Sequence, residues 1–405
     1  MFDSKYKDVK TFHLLLGPEC NMHCRHCSQT PMKVCSFLTK EPTEDVKNVI
    51  GKFIQLAKHE AADSNDSSDY APLYRLFFWG GEALLHWNMI KKLVIEYTKK
   101  FDILSDNAFR FVITSNGLLL NDEMVDFMNQ YKVHFNFSYD APHPFAVRGF
   151  VSDEICERVK RIKYQSVLAS GSAYNCDPLL IEKCLRAKFP KAVSRILNNI
   201  EVMHTWNFPD DIDAYNLDEI RYIVRKLVIG AKIGDSFCQH YISNFMFLVL
   251  NPDKNFLRTS HGLPACIMCH KFFAMTLDGQ VPICHNSNEI IGSFKDSMDV
   301  LKERAIDYWR KRVDKQCETC KYLDMCGGGC ALALRDENGH FLSCETFRKP
   351  YFRIVEEEML RFADPLSDEE LAWYKEQEKI MEQQVEEFLL AGQRYKQKLK
   401  VKDRD

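Results

Sequence analysis

Residues Thr11 to Cys27 read TFHLLLGPECNMHCRHC, an apolar run ending at Leu16 and then three cysteines, Cys20, Cys24 and Cys27. The run has the composition of a β-strand. The C-x3-C-x2-C spacing gathers three thiols in the loop that follows it. Three thiolates can ligate all but one iron of a [4Fe–4S] cube, and the remaining iron is open to a substrate or cofactor. Fully ligated clusters mostly move electrons, whereas an open iron can do chemistry. On the residues alone, a zinc site completed by His23 or His26 is the alternative.

The rest of the chain limits the class of protein. Of its 405 residues 46% are hydrophobic and 27% charged, the balance of ordinary globular material with room for two or three domains. Lys plus Arg is 54 against 57 for Asp plus Glu, a net charge of −3. No basic stripe argues for a nucleic-acid partner, and no acidic block argues for a solvating tail. The first residues, MFDSKYKDVK, lack the apolar core of a secretory signal. The longest apolar run, Phe245 to Leu250, is too short to cross a bilayer, so no membrane association is expected. Sixteen cysteines in such a chain fit reduced, metal-binding thiols in the cytoplasm rather than a disulfide framework. Eleven of them lie in two fields, and Cys35, Cys156, Cys176, Cys184 and Cys238 read as scattered small buried residues.

Strand and helix signals alternate over the first two hundred residues. Strands are expected at Thr11–Leu16, Tyr74–Trp79, Phe109–Thr114 and Val133–Ser138, with weaker signals near Ser166–Ala169 and Arg195–Val202. Helical spacing appears from Val46 to Ala57, over Leu84–Lys100 and near Asp122–Gln130, with a polar surface loop at Ser64–Asp69. Repeated β-α units imply a parallel sheet with right-handed crossovers, and about six of them imply a barrel-like α/β layer. In such folds chemistry gathers at the C-terminal strand ends. There lie the cysteine triplet, Gly80-Gly81-Glu82, Ser115-Asn116-Gly117 and Ser138-Tyr139-Asp140, each after its own strand. A mixed linker with a helix near Leu217–Leu227 leads to a second cysteine field. From Ser367 a capping box with Glu370 opens a long charged helix to about Lys398. Its sparse apolar positions leave open a packed helix, a partner-binding helix or a solvated appendage.

The triplet after one strand and Gly-Gly-Glu after the next resemble the radical S-adenosylmethionine superfamily. The second field reads Cys266-x2-Cys269-x9-Gly279-x4-Cys284, then Cys317-x2-Cys320-x5-Cys326-x3-Cys330-x13-Cys344. It is similar to the SPASM domain of radical enzymes that modify peptides and proteins, with a pair of zinc ribbons as the alternative on spacing alone. The resemblance implies a partial (β/α)6 TIM-like barrel followed by a small cysteine-rich SPASM domain and a C-terminal helix. The expected boundaries are 1–205 for the barrel, 206–265 for the linker, 266–350 for the SPASM domain and 351–405 for the helical tail.

The resemblance also assigns roles. S-adenosylmethionine and three [4Fe–4S] clusters are the implied cofactors. Cys20, Cys24 and Cys27 would hold the first cluster. Cys266, Cys269, Cys284 and Cys330 would hold a second, and Cys317, Cys320, Cys326 and Cys344 a third, with Gly327, Gly328 and Gly329 turning the chain between them. Gly80 and Gly81 would let backbone approach the methionyl ammonium, and Glu82 would orient that ammonium or support the strand end. Ser138, Arg148, Asn116 and Asp140 match positions near the ribose or carboxylate, although a surface Arg and a turn-forming Asn-Gly are the plain readings of two of them. Reductive cleavage of the sulfonium would give a 5′-deoxyadenosyl radical that takes a hydrogen atom from a substrate.

Two enzyme types fit. One is a peptide or protein maturase forming a thioether, ether or carbon–carbon crosslink, or epimerising a residue. The other is an anaerobic sulfatase-type maturase making formylglycine. In the second group an acidic base follows the cysteine of the G-x4-C element and an aromatic residue precedes the third cluster cysteine. Here His285 follows Cys284 and His26 precedes Cys27. His285 is thus a candidate base as well as a hydrogen-bonded structural histidine. An iron–sulfur electron-transfer protein is the non-enzymatic alternative, and the three-cysteine site argues against it. The implied partners are a peptide or protein substrate and a low-potential donor such as flavodoxin or ferredoxin. Only about ten residues precede strand one, so any leader peptide would be recognised by the barrel mouth, the linker, the C-terminal helix or a separate leader-recognition protein.

Overall fold

The computed structural model describes residues 9–24, 27, 39–63, 74–105, 107–141, 148, 151–170, 176–197, 216–250, 272–312, 315–322, 338, 340 and 344–402. The expected loop Ser64–Asp69, His26, Cys35, Cys266, Cys269, Cys326, Cys330 and the Gly327–Gly329 turn lie outside those residues. Two compact units are present. The first is Met1–Ser138, Val151–Leu168 and Cys266–Lys311, and the second is Tyr139–Phe150, Ala169–Ala265 and Arg312–Asp405.

The first unit is built on a parallel sheet. In chain order it has β1 (Thr11–Leu15), α1 (Glu44–Asp63), β2 (Tyr74–Trp79), α2 (Trp87–Phe101), β3 (Phe109–Ser115), α3 (Asp122–Gln130), β4 (His134–Ser138), α4 (Asp153–Arg161) and β5 (Gln165–Ser170). This is the alternating α/β order expected of a partial barrel. Local chemistry sets the helix starts. Asn121 accepts from Met124 N–H at 2.9 Å and Ser152 from Ile155 N–H at 3.3 Å, each followed by acidic residues in the first turn.

Alternate residues of a strand face opposite sides of a sheet, and in-register pairing carries each side across the strands. Thr11 pairs with Arg75, Leu15 with Trp79, Thr114 with Asn136, and Asn136 with Ser166. One face carries Phe12, Leu14, Tyr74, Leu76, Phe78, Phe109 and Phe111, all buried. Helix α1 covers it, with the Phe53 ring 5.6 Å from Phe12, 5.4 Å from Tyr74 and 6.1 Å from Phe109. The opposite face carries His13, Thr114, Asn136 and Ser166. There Asn136 donates to Thr114 Oγ1 at 3.4 Å, and His134 lies 2.8 Å from Ser166 Oγ. Buried polar side chains are costly unless paired, and these are hydrogen-bonded to one another across the strands.

The remainder of the unit comes from the second cysteine field. Strand β6 (Val193–Leu197) belongs to the second unit. A further strand, β7 (Phe272–Thr276), pairs parallel with β1, Thr11 opposite Phe272 and Leu15 opposite Thr276. It leads to β8 (Gln280–Pro282) and β9 (Ile290–Ser293), an antiparallel pair, and then α8 (Met298–Arg312). The backbone ladder on β1 joins Phe272–Thr276 to the barrel strands.

The second unit is helical. It contains α5 (Pro178–Lys188), α6 (Leu217–Lys232), α7 (Ser236–Leu250), α9 (Lys349–Leu360) and α10 (Asp368–Lys402). Asp177 caps α5 by accepting from Leu179 N–H at 3.1 Å and Leu180 N–H at 3.3 Å, and its carboxylate also pairs with buried Lys226 of α6. Arg221 of α6 reaches Glu357 at 2.6 Å and Glu358 at 3.2 Å on α9. The expected capping box of α10 is present, Ser367 N–H donating to Glu370 and Glu370 N–H to Ser367 Oγ, both at 3.1 Å. Tyr374, Gln377, Met381 and Phe388 are buried along one side of α10. The tail is therefore a packed helix, and the solvated-appendage reading is set aside. Among the described residues no helix is long and apolar enough to cross a membrane.

Candidate functional site

The loop after β1 stays laced to the end of β2. Leu16 N–H donates to Trp79 O at 2.7 Å, Gly81 N–H to Gly17 O at 2.9 Å and Glu82 N–H to Glu19 O at 2.8 Å. This lacing needs the two glycines. A Cβ on Gly80 would stand 2.6 Å from Gly17 O, and one on Gly81 would stand 2.2 Å from Glu19 O. The close approach that demands glycine is thus made by the chain's own cysteine loop.

Glu82 is 2% exposed, and its carboxylate accepts from Leu84 N–H at 2.9 Å, Ser115 Oγ at 2.7 Å and Asn116 N–H at 2.8 Å. A carboxylate holding three protein donors ties the ends of β2 and β3 together. Asn116 completes the arrangement. Its side-chain N–H donates to Asn21 Oδ1 at 2.8 Å, and its Oδ1 accepts from Leu118 N–H at 3.0 Å. Asn21, which sequence reasoning missed, lies between Cys20 and Met22. Its position inside the cysteine loop is the signal that would have found it.

The other expected contacts of the nucleotide lie further on. Ser138 ends β4 and is half-buried. Asp140 is fully buried and accepts from Arg148 Nε at 2.9 Å. These two charges are brought together as a pair, which is how a buried carboxylate is made tolerable.

The described cysteines share two local geometries. Cys20 Sγ accepts from Met22 N–H at 3.4 Å, and Cys284 Sγ accepts from Asn286 N–H at 3.3 Å, in each case from the amide two residues on. In the two C-x2-C pairs among the described residues the second backbone N–H donates to the first carbonyl, Cys27 to Cys24 at 3.3 Å and Cys320 to Cys317 at 3.2 Å. Such turns bring paired thiols to one side, and amides aimed at sulfur favour the thiolate that ligates iron. Cys344 lies near enough to Cys320 for their charges to interact, although burial is the main influence and raises its thiol pKa. These features fit the donor set of iron–sulfur clusters. Among the described residues no three His, Cys, Asp or Glu side chains are grouped so as to hold one metal ion, and that includes Cys20, Cys24 and Cys27 as they stand.

Cys284 leads into His285 and Asn286, which lie on the polar face of the sheet. The His285 ring is 4.8 Å from His13 of β1 and 4.6 Å, edge-on, from Trp79 of β2. Burial pushes the His285 imidazole down to about 3, and burial followed by the nearby His285 holds His13 well below its usual value. As placed, His285 is a ring in a packed cluster, an environment that weakens a base.

Comparison with known proteins finds a family model that matches these strands. The model of the Radical SAM superfamily matches residues 14–170. Over that stretch the chain is similar to radical SAM domains. The stretch spans the cysteine triplet, the Gly80–Glu82 turn, Asn116, Ser138, Asp140 and Arg148. The radical SAM cyclopropyl synthase TigE of Paramaledivibacter caminithermalis is 20% identical over 374 residues, covering 87% of this chain and 75% of TigE. An uncharacterized protein of Archaeoglobus fulgidus is 20% identical over 372 residues, covering 84% and 80%. Among solved structures, anSMEcpe with bound AdoMet superimposes with a TM-score of 0.57 at 15% identity, over 87% of this chain and 99% of that one. The same protein with AdoMet and the Cp18Cys peptide gives 0.56 at 15% identity, over 88% and 100%. At such identity the likeness is one of fold.

Proposed function

We propose that this chain is a radical SAM enzyme of the SPASM type and carries out an oxidative modification of a peptide or protein. The observation that carries the reading is the lacing of the Cys20 loop to Gly80-Gly81-Glu82 and Asn116, which joins the ends of β1, β2 and β3 around one loop. Cys20, Cys24 and Cys27 would hold the radical-generating cluster, and Gly80, Gly81, Ser138, Asp140 and Arg148 would hold S-adenosylmethionine. Cys266, Cys269, Cys284 and Cys330 would hold one auxiliary cluster, and Cys317, Cys320, Cys326 and Cys344 the other. Together these groups supply one-electron cleavage of the sulfonium, hydrogen-atom abstraction and a sink for the substrate's electron. The protein's part is to fix the loop, orient the nucleotide and exclude water.

Two similarities support the substrate class. A related fold, anSMEcpe, has been seen with both AdoMet and the Cp18Cys peptide bound. TigE, named a cyclopropyl synthase, matches most of this chain and favours carbon–carbon bond formation among the modifications considered. The formylglycine reading lacks its acidic base, since His285 occupies that place and is packed against His13 and Trp79. A low-potential flavodoxin or ferredoxin would deliver the electron, and a separate protein would present any leader peptide.

Anaerobic reconstitution tests the proposal. The chain is expected to hold about twelve irons in three cubes. Changing Cys20, Cys24 and Cys27 to Ala is expected to remove roughly a third of the iron and all cleavage of S-adenosylmethionine. Deoxyadenosine production that survives in the triple variant refutes the assignment.

A further inference from the structure

The segment Cys284-His285-Asn286 is held on the sheet by β1 and β2 side chains. Asn286 is engaged twice. Its backbone N–H donates to Cys284 Sγ at 3.3 Å, and its side-chain Oδ1 accepts from the Trp79 indole N–H at 3.3 Å. Between them His285 sits with its ring 4.6 Å from Trp79 and 4.8 Å from His13. His13 in turn stacks on Phe77, with centroids 4.6 Å apart and an interplanar angle of 22°. Trp79 is the last residue of β2 and directly precedes Gly80-Gly81. One strand end thus supports both the turn that laces the first cysteine loop and the residue that hydrogen-bonds the Cys284 sulfur.

We propose that Trp79 and His13 are positioning residues that clamp the Cys284 hook to the barrel strands and tune the auxiliary cluster that Cys284 ligates. The inference rests on the reading of Cys284 as a cluster ligand. Hydrogen bonds to cluster sulfurs raise the reduction potential, and outer partners that orient a ligand set its properties almost as strongly as the ligand itself. Loss of the indole donor frees the Asn286 side chain, lets the hook turn and weakens the N–H···S bond at Cys284. Packing of the His285 ring against His13, tilted, and Trp79, edge-on, resists that turn, because such ring contacts are directional.

The test uses the full chain with Cys20, Cys24 and Cys27 changed to Ala, so that only auxiliary clusters contribute to the spectrum. Trp79→Phe keeps a ring and removes the N–H donor. Asn286→Leu removes the acceptor and keeps the backbone N–H. Each is expected to shift the midpoint potential of one auxiliary cluster to a lower value and to alter its EPR line shape, with auxiliary iron content unchanged. The double variant is expected to shift no further than either single change, since both remove one interaction. Unchanged potential and line shape in both single variants, when Cys284→Ala abolishes that cluster's signal, overturn the clamp and leave the ligand reading standing. An unchanged auxiliary spectrum in Cys284→Ala overturns the ligand reading and the clamp together.

Discussion

Asn116 donates from its side-chain amide to Oδ1 of Asn21 at 2.8 Å, tying the loop that carries Cys20 to the end of β3. The contact joins residues 95 apart in sequence and runs beside the Glu82 carboxylate, which accepts the Asn116 backbone N–H. Position of the cysteine loop is therefore shared among three strand ends rather than left to the loop itself.

Asn116→Ala is expected to cost about 1 kcal/mol of stability, the net worth of a neutral hydrogen bond. It should also weaken S-adenosylmethionine binding in the reconstituted enzyme. A double-mutant cycle with Asn21→Ala, read by urea unfolding, should give a coupling of about 0.5–1.5 kcal/mol. Strict additivity would show that the two amides act separately.

Gly81→Ala places a methyl group 2.2 Å from Glu19 O and 2.5 Å from Pro18 O, both backbone atoms that cannot rotate aside. The loop must move, and Cys20 moves with it. The expected result is a folded protein that has lost roughly a third of its iron. Iron analysis beside circular dichroism checks it.

Lys226 is 1% exposed and pairs with Asp177, which also caps α5. Lys226→Met leaves that carboxylate without its cation in a low-dielectric site. The expected loss is about 3–5 kcal/mol, as for other broken buried pairs. Changing both residues to apolar ones is expected to recover part of it, less the lost cap at the start of α5. Chemical denaturation of the two variants tests this.

His13 sets a pH dependence. Burial, and then the adjacent His285, hold its imidazole well below the ordinary 6.5. Between the folded and unfolded values the unfolded chain binds more protons, so stability rises with pH through that window. It is fully present above about 6.5 and is lost as the pH falls below it. His13→Phe is expected to flatten the slope without abolishing it, because His285 in the same enclosure is also depressed. Unfolding midpoints compared at about pH 5 and 7.5 measure the difference, in which carboxylates common to both proteins cancel.

Much of the sheet was legible because its strands are short, apolar and punctuated. Tyr74–Trp79 is the expected β2, and Asp122–Gln130 is the expected α3, opened by the Asn121 cap. The capping box at Ser367 and Glu370 placed the start of α10. Burial of the tail was harder to see. Tyr374, Gln377, Met381 and Phe388 follow helical spacing, but one member is polar and the stripe is thin. Strand β7 was hidden for another reason. Phe272–Thr276 lies between cysteines whose spacing dominated the reading, and nothing local reveals which distant strand it joins. In the site, the strand-end motifs were read directly from their positions. Asn21–Asn116 and Trp79–Asn286 were not, because a hydrogen bond across 95 or 207 residues leaves no local pattern.

Pairing of β7 with β1 carries a practical consequence. A fragment that stops before Phe272 would strip β1 of its outer neighbour and leave a row of unsatisfied amides and carbonyls beside an apolar face. Open flanks of that kind recruit strands from other molecules. Attempts to express the radical-generating half by itself should therefore yield aggregates, and restoring residues 272–276 in trans would be the simplest remedy.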